Sequence, residues 1–147
     1  MADVVTSQSA ALRCLVVTPE ATVIDSEAEF VALPLYDGEA GVAPGRAPLI
    51  GRLGYGELRV RRPGTAEIRM YVDGGFAQVV DNLVSVLTNR ALPAGSIDTT
   101  AATEQLRTAV SSRAAGAQEM AIRERLILQA RGQLRVANRA RLAASAL

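Results

Sequence analysis

The sequence contains no lysine, no histidine and no tryptophan, and it has one cysteine and five aromatic residues among 147. Each absence removes a class of chemistry. Without histidine there is no Ser-His-Asp triad, no Cys-His dyad and no imidazole metal site. Without lysine there is no Walker A phosphate loop and no Schiff-base nucleophile. A lone thiol, Cys14, forms no internal disulfide and no thiolate metal cluster. So few aromatics argue against a stacking platform for single-stranded nucleic acid. No apolar run exceeds four residues (Phe30 to Leu33 is one), so no helix is expected to span a bilayer. The first basic residue is Arg13, and Asp3 stands where a signal peptide wants positive charge, so a cytoplasmic compartment is the expectation.

What is present divides the chain in two. Residues 1–97 hold 10 of the 12 glycines, all 6 prolines and all five aromatics, Phe30, Tyr36, Tyr55, Tyr71 and Phe76. Residues 98–147 hold no proline, no aromatic residue and 13 alanines. The charge divides likewise, −3 up to residue 97 and +4 beyond it, within an overall +1. An acidic β-rich domain over 1–92, a linker over 93–97 and a basic helical segment over 98–147 are expected.

Turn residues punctuate the first part every 8–12 residues, which predicts an all-β sandwich or barrel. Strands are expected at Leu12 to Val17, Thr22 to Ile24, Phe30 to Tyr36, Leu58 to Arg61, Ile68 to Val72, Phe76 to Val80 and Leu83 to Thr88. In the strand at Ile68, Met70 and Val72 alternate with Arg69 and Tyr71, the period of a half-buried strand. Asp98 has the side chain of a helix N-cap. Helices are predicted over about 98–114 and 118–144, turning at Gly116 into a hairpin. The first turns Ala102, Leu106, Ala109 and Val110 to one face. The second turns Ile122, Leu126, Ala130, Leu134 and Ala137 to one face and Arg131, Arg135 and Arg139 to another. An apolar stripe this rich in alanine buries little area, so the hairpin should be marginal alone and easily opened.

Several local features invite a functional reading. Gly38 to Leu49, GEAGVAPGRAPL, reads as a rigid irregular loop. It lacks the Lys and Ser or Thr that would hold phosphate, which leaves a contact surface. Asp73-Gly74-Gly75 reads as a hairpin turn rather than a ligand turn. Cys14, inside an apolar strand, reads as a buried structural thiol. Glu27 and Glu29 read as solvated strand residues rather than a catalytic pair. The arginine stripe fits a solvated face, a phosphate-binding face or a face for an acidic protein surface.

In order and spacing, GEAGVAPGRAPL, then YVDGGFAQV, then NLVSVLTNRA at 82–91, then an Asp-capped helical hairpin, resemble the ε subunit family of F-type ATP synthases. The resemblance covers about residues 10–142. It implies a flattened N-terminal β-sandwich followed by a C-terminal two-helix antiparallel hairpin. It implies a non-catalytic central-stalk subunit of a proton-translocating complex, without cofactor or metal, at the cytoplasmic face of the bacterial inner membrane. The implied partners are the γ subunit and the c-ring, with membrane contact only through the c-ring. The catalytic α/β head joins them when the helices extend and block ATP hydrolysis. By the same resemblance Gly38, Glu39, Gly41, Pro44, Gly45 and Arg46 form the loop against the c-ring, and Arg131, Arg135 and Arg139 mark the regulatory helix. Two positions depart from the family pattern. Arg46 stands where the family usually has His. In the nucleotide motif of some bacterial members, Ile97 and Asp98 match, but Ala101 replaces the Arg before Ala102, so no nucleotide site is expected. The rival reading is an RNA-binding protein with an arginine-rich helix.

Overall fold

The computed structural model describes residues 11–146. Asp3 and the first ten residues of the expected β-domain therefore lie outside the described residues, as does Leu147. The strands are β1 (Leu12–Val17), β2 (Thr22–Ala28), β3 (Phe30–Leu35), β4 (Gly38–Val42), β5 (Leu49–Arg52), β6 (Tyr55–Arg61), β7 (Ile68–Asp73), β8 (Phe76–Val80), β9 (Leu83–Leu87) and β10 (Ala91–Pro93). A single 3-10 turn, Ala94–Ser96, leads into helices α1 (Thr99–Ser111) and α2 (Ala117–Ser145). The strands form two five-stranded sheets, ordered β2-β1-β9-β8-β5 and β10-β7-β6-β3-β4. The architecture is a β-sandwich followed by a helical hairpin, as the resemblance implied.

The core between the sheets follows from period-two alternation. Leu12, Cys14 and Val16 of β1, Leu58 and Val60 of β6, and Met70 and Val72 of β7 all meet there, buried. The β8–β9 hairpin turns on Asp81 and Asn82, whose φ values of 49° and 63° are the left-handed pair that a two-residue hairpin needs. Gly75 is equally constrained. Its φ is 105°, and a side chain there would collide with the Leu87 carbonyl.

Three strands were not anticipated. Residues 38–42, expected within an irregular loop, pair with β3 as an edge strand, where glycines are tolerated because only one side must pair. β5 pairs with β8, and β10 pairs with β7 where the expected β-domain passes into the expected linker, Pro93 being the one linker residue in it. Pro93 fits there because β10 is also an edge. β2 runs on to Ala28 because Asp25 and Glu27 face water on another edge strand while their backbones pair with β1.

The hairpin also differs in detail. Asp98 caps α1 by accepting the Ala101 N–H at 3.0 Å. Gly116, at φ 88°, begins α2. Of the expected apolar faces, Ala102, Ala109 and Ala130 are buried while Val110 and Ile122 are exposed, and Gly132, Gln133 and Val136 are buried besides. The side of α2 that matters is the one laid on the second sheet.

Candidate functional site at the helix seat

α2 lies on the outer face of β6 and β7, so that sheet is buried on both sides. Along β6 and β7 the outward residues are Tyr55, Glu57 and Arg59, paired across the strands with Asp73, Tyr71 and Arg69. Tyr71, expected to face solvent, is completely buried, because α2 covers it. Its neighbours in this second cluster are Val136 of α2 and Ala94.

Polar groups hold this contact. The Tyr71 hydroxyl donates to Asp73 Oδ1 at 3.0 Å. Gln129 of α2 donates its amide to the same carboxylate, at 3.0 and 3.2 Å to the two oxygens. Gln133, one turn further on, is buried at the same seat. Burial first, and then the Asp73 charge, raise the Tyr71 pKa far above its ordinary value, so it is a permanent donor. The strand end itself is pinned from the far side. The Asp73 N–H donates to Thr88 Oγ1 at 3.0 Å, and the Asn89 amide donates to the Asp73 carbonyl at 3.2 Å.

Between these glutamines sits Gly132. A Cβ at this position would lie 2.6 Å from the Tyr55 carbonyl oxygen and 3.1 Å from the Tyr71 ring. Glycine in a helix interior costs about 1 kcal/mol relative to alanine. Here the missing side chain lets helix and strand backbones approach.

Beside the seat lies a cleft of about 390 Å³. It is lined by Gly38 and Glu39 from β4, by Tyr55 and Glu57 from β6, and by Arg135 and Arg139 from α2. Members of the two expected site groups, the loop and the arginine helix, thus meet in one place. Glu39 pairs with Arg59 at 2.8 Å. The Arg135 guanidinium donates to the Tyr55 carbonyl at 3.4 Å, and Arg139 lies 3.8 Å from Glu57. All three arginines of the stripe are exposed, and Arg135 and Arg139 also contact the sandwich from there. The remaining loop residues are elsewhere. Gly41 is on β4, and Pro44, Gly45 and Arg46 are exposed in the following turn, where the Gly45 N–H donates to Asn82 Oδ1 at 2.7 Å.

The other candidates fall as follows. Cys14 is buried, and burial pushes its thiol up to about 12. Glu27 and Glu29 are exposed. Ala101 is exposed on the first turn of α1. Glu57, Tyr71, Asp73, Gln129, Gly132 and Gln133 were not foreseen. Only the spacing of Gln129 and Gln133, at i and i+4 on either side of a mid-helix glycine, signalled a polar seat in the sequence.

Two twisted sheets with a helical hairpin folded back on one of them define the structural class. The comparisons with known proteins narrow it. Residues 11–94 match the family described as ATP synthase, Delta/Epsilon chain, beta-sandwich domain. The ATP synthase epsilon chain of Rhodopirellula baltica is 52% identical over 124 residues, covering 84% of this chain and 96% of that protein. The ATP synthase epsilon chain 1 of Methylococcus capsulatus is 35% identical over 122 residues, covering 82% of this chain and 87% of that protein. Among solved structures, a chain of the Euglena gracilis mitochondrial ATP synthase shares the fold. Its TM-score is 0.68 at 21% identity, covering 92% of this chain and 82% of that one. The chain belongs to the ATP synthase delta/epsilon family. The RNA-binding reading finds no support in these relatives.

Proposed function

We propose that this chain is the non-catalytic ε-type subunit of the central stalk of a proton-translocating ATP synthase. In this reading it couples c-ring rotation to ATP synthesis at the cytoplasmic face of a bacterial inner membrane. The observation that carries the proposal is the 52% identity to an ATP synthase epsilon chain whose length it matches almost completely. The inventory of side chains agrees with a role without bond chemistry. There is no histidine and no lysine in the sequence, and the one thiol is buried with a raised pKa.

The sandwich is the part that binds γ and rests on the c-ring, with Gly38, Glu39 and Gly41 of β4 and Pro44, Gly45 and Arg46 of the turn after it as the surface toward the ring. The hairpin is the part that moves. Its seat joins few apolar side chains, so a state with α2 extended toward the catalytic α/β head needs only modest compensating contacts. Arg131, Arg135 and Arg139 supply cations for that state. Surface pairs are worth about 0–1 kcal/mol each, so several must act together.

Deletion of residues 97–147 from the assembled complex tests the reading. Assembly and coupling should persist, and ATP hydrolysis should rise. Hydrolysis no faster than in the full-length complex would show that the helices are not a brake. Truncation is cleaner than replacing the three arginines, because Arg135 and Arg139 also contact the sandwich in the docked state.

A further inference from the structure

The seat of α2 contains a carboxylate that the contacts above leave unsatisfied. The Glu57 side chain is 4% exposed, and neither of its oxygens accepts a hydrogen bond among the described residues. Cations surround it without closing on it. Arg59 Nε lies at 3.5 Å, Arg69 at 3.7 Å and Arg139 at 3.8 Å. Arg59 is shared, with its shorter contact to Glu39 at 2.8 Å and a longer one to Glu67 at 3.9 Å. Arg139 comes from α2 with its side chain 59% exposed, so water screens much of its charge. Arg135 spends its guanidinium on the Tyr55 carbonyl. The phenol of Tyr71, directly across the strands from Glu57, donates its hydrogen bond to Asp73 instead.

A buried charge without hydrogen bonds is unfavourable, and nearby cations at these distances recover only part of its lost hydration. α2 forms the lid over this group. When α2 lifts, Arg139 leaves and water reaches the carboxylate. We propose that Glu57 makes the seating of α2 proton-linked: the hairpin docks more firmly while this carboxyl is protonated, and its hold weakens as the carboxyl ionises.

The direction of the pKa agrees with this geometry. Burial raises it above the ordinary value of 4.5, against the pull of Arg69, Arg139 and Arg59, and Glu67 adds to the rise. Docked, the group holds its proton more tightly than undocked. Its favourable contribution to docking is therefore complete below 4.5 and is lost as pH climbs through the raised docked value. Within that window the docking equilibrium changes by up to about tenfold per pH unit. The inference rests on the proposed function only in treating α2 as a part that leaves the sandwich.

Amide hydrogen exchange of the full-length chain reads this directly, because it detects rare openings. Protection factors for residues 128–139, taken relative to β1, are measured from about pH 5 to about pH 8. In the wild type they should fall as pH rises, by up to about tenfold per unit. In the nearly isosteric Glu57→Gln variant the slope should vanish, and protection at neutral pH should match or exceed the wild type. In Arg139→Gln the fall should extend to higher pH, since the carboxylate loses a cation. The same slope in wild type and Glu57→Gln, a flat wild-type profile, or protection that rises with pH would each overturn the proposal. ATP hydrolysis is not the readout, so failure of the truncation test above would leave this result standing, and the reverse also holds.

Discussion

The second sheet has two buried faces, and they are built differently. Its inner face meets the first sheet through Leu33, Leu58, Val60, Met70 and Val72, with no polar side chain among them. Its outer face meets α2 through Tyr71 and Val136, but also through Asp73, Gln129, Gln133, a backbone contact at Gly132 and the unsatisfied Glu57. Apolar burial contributes about 25 cal/mol per Å² and has no alternative partner except water. Polar contacts of the second kind net only about 0.5–1.5 kcal/mol each, because water replaces them when they break. One face is a core and the other is a catch. The same strands β6 and β7 carry both, since successive residues point to opposite faces.

The strongest way to break this comparison is to weaken the core and ask whether the seat follows. Leu33 is completely buried between the sheets. Leu33→Ala should cost about 2–5 kcal/mol of global stability, read as a lower urea midpoint of the full chain. Sandwich and hairpin signals should move together, since a hairpin without its sheet has nothing to sit on. A loss below about 1 kcal/mol would mean that this position collapses readily and is no keystone of the core.

The seat should fail alone. Gly132→Ala sets two effects against each other in one substitution. Alanine favours the helix by about 1 kcal/mol, yet its Cβ meets the Tyr55 carbonyl oxygen at 2.6 Å. Overpacking of this kind costs about 1–3 kcal/mol. The expected outcome is a chain whose helix content is kept or raised and whose sandwich unfolds at an unchanged urea concentration. The amides of residues 128–139 should nevertheless lose protection by about tenfold or more. Unchanged or increased protection would show that the helix can shift on the sheet at little cost, and that the notch is not specific.

The same contrast explains how much was legible beforehand. Burial on one face leaves a period-two trace, so β1, β6, β7, β8 and β9 could be anticipated from residues such as Leu12, Cys14 and Val16. Asp98 and Gly116 gave the hairpin away, because caps and turns are local chemistry. β4 was hidden because an edge strand of Gly-Glu-Ala-Gly-Val has little β propensity and is held by the pairing that β3 offers. The seat was hidden for a different reason. Tyr71 and Glu57 occupy the polar positions of alternating strands, and only the docking of a helix distant in sequence buries them. The expected stripe on α2, from Ile122 to Ala137, took apolarity as the guide. Ala130 of that stripe is indeed buried, but the helix also seats Gln129, Gly132, Gln133 and Val136, whose side chains mark no apolar face. The resemblance supplied the architecture but not this contact.

The smallest effect is expected where neither face is involved. At the far tip of the hairpin, Arg123 reaches back to α1, its Nε donating to the Ala109 carbonyl at 2.9 Å and a terminal nitrogen to the Val110 carbonyl at 3.0 Å. These carbonyls are among the last of α1, where i+4 partners run out and Ser112 already donates to that of Ala109, and a cation there also suits the helix dipole. The guanidinium is partly open to solvent, so water replaces it at little loss. Arg123→Gln should therefore cost about 1 kcal/mol or less. Exchange should accelerate only in amides near residues 108–120, with residues 128–139 as protected as before. If the change spread to the seat, the hairpin would behave as one rigid unit, and the catch on β6 and β7 would be governed from its tip. Confinement to the tip would locate the hold on the hairpin at Asp73, Gln129 and Gly132, where the sandwich meets α2.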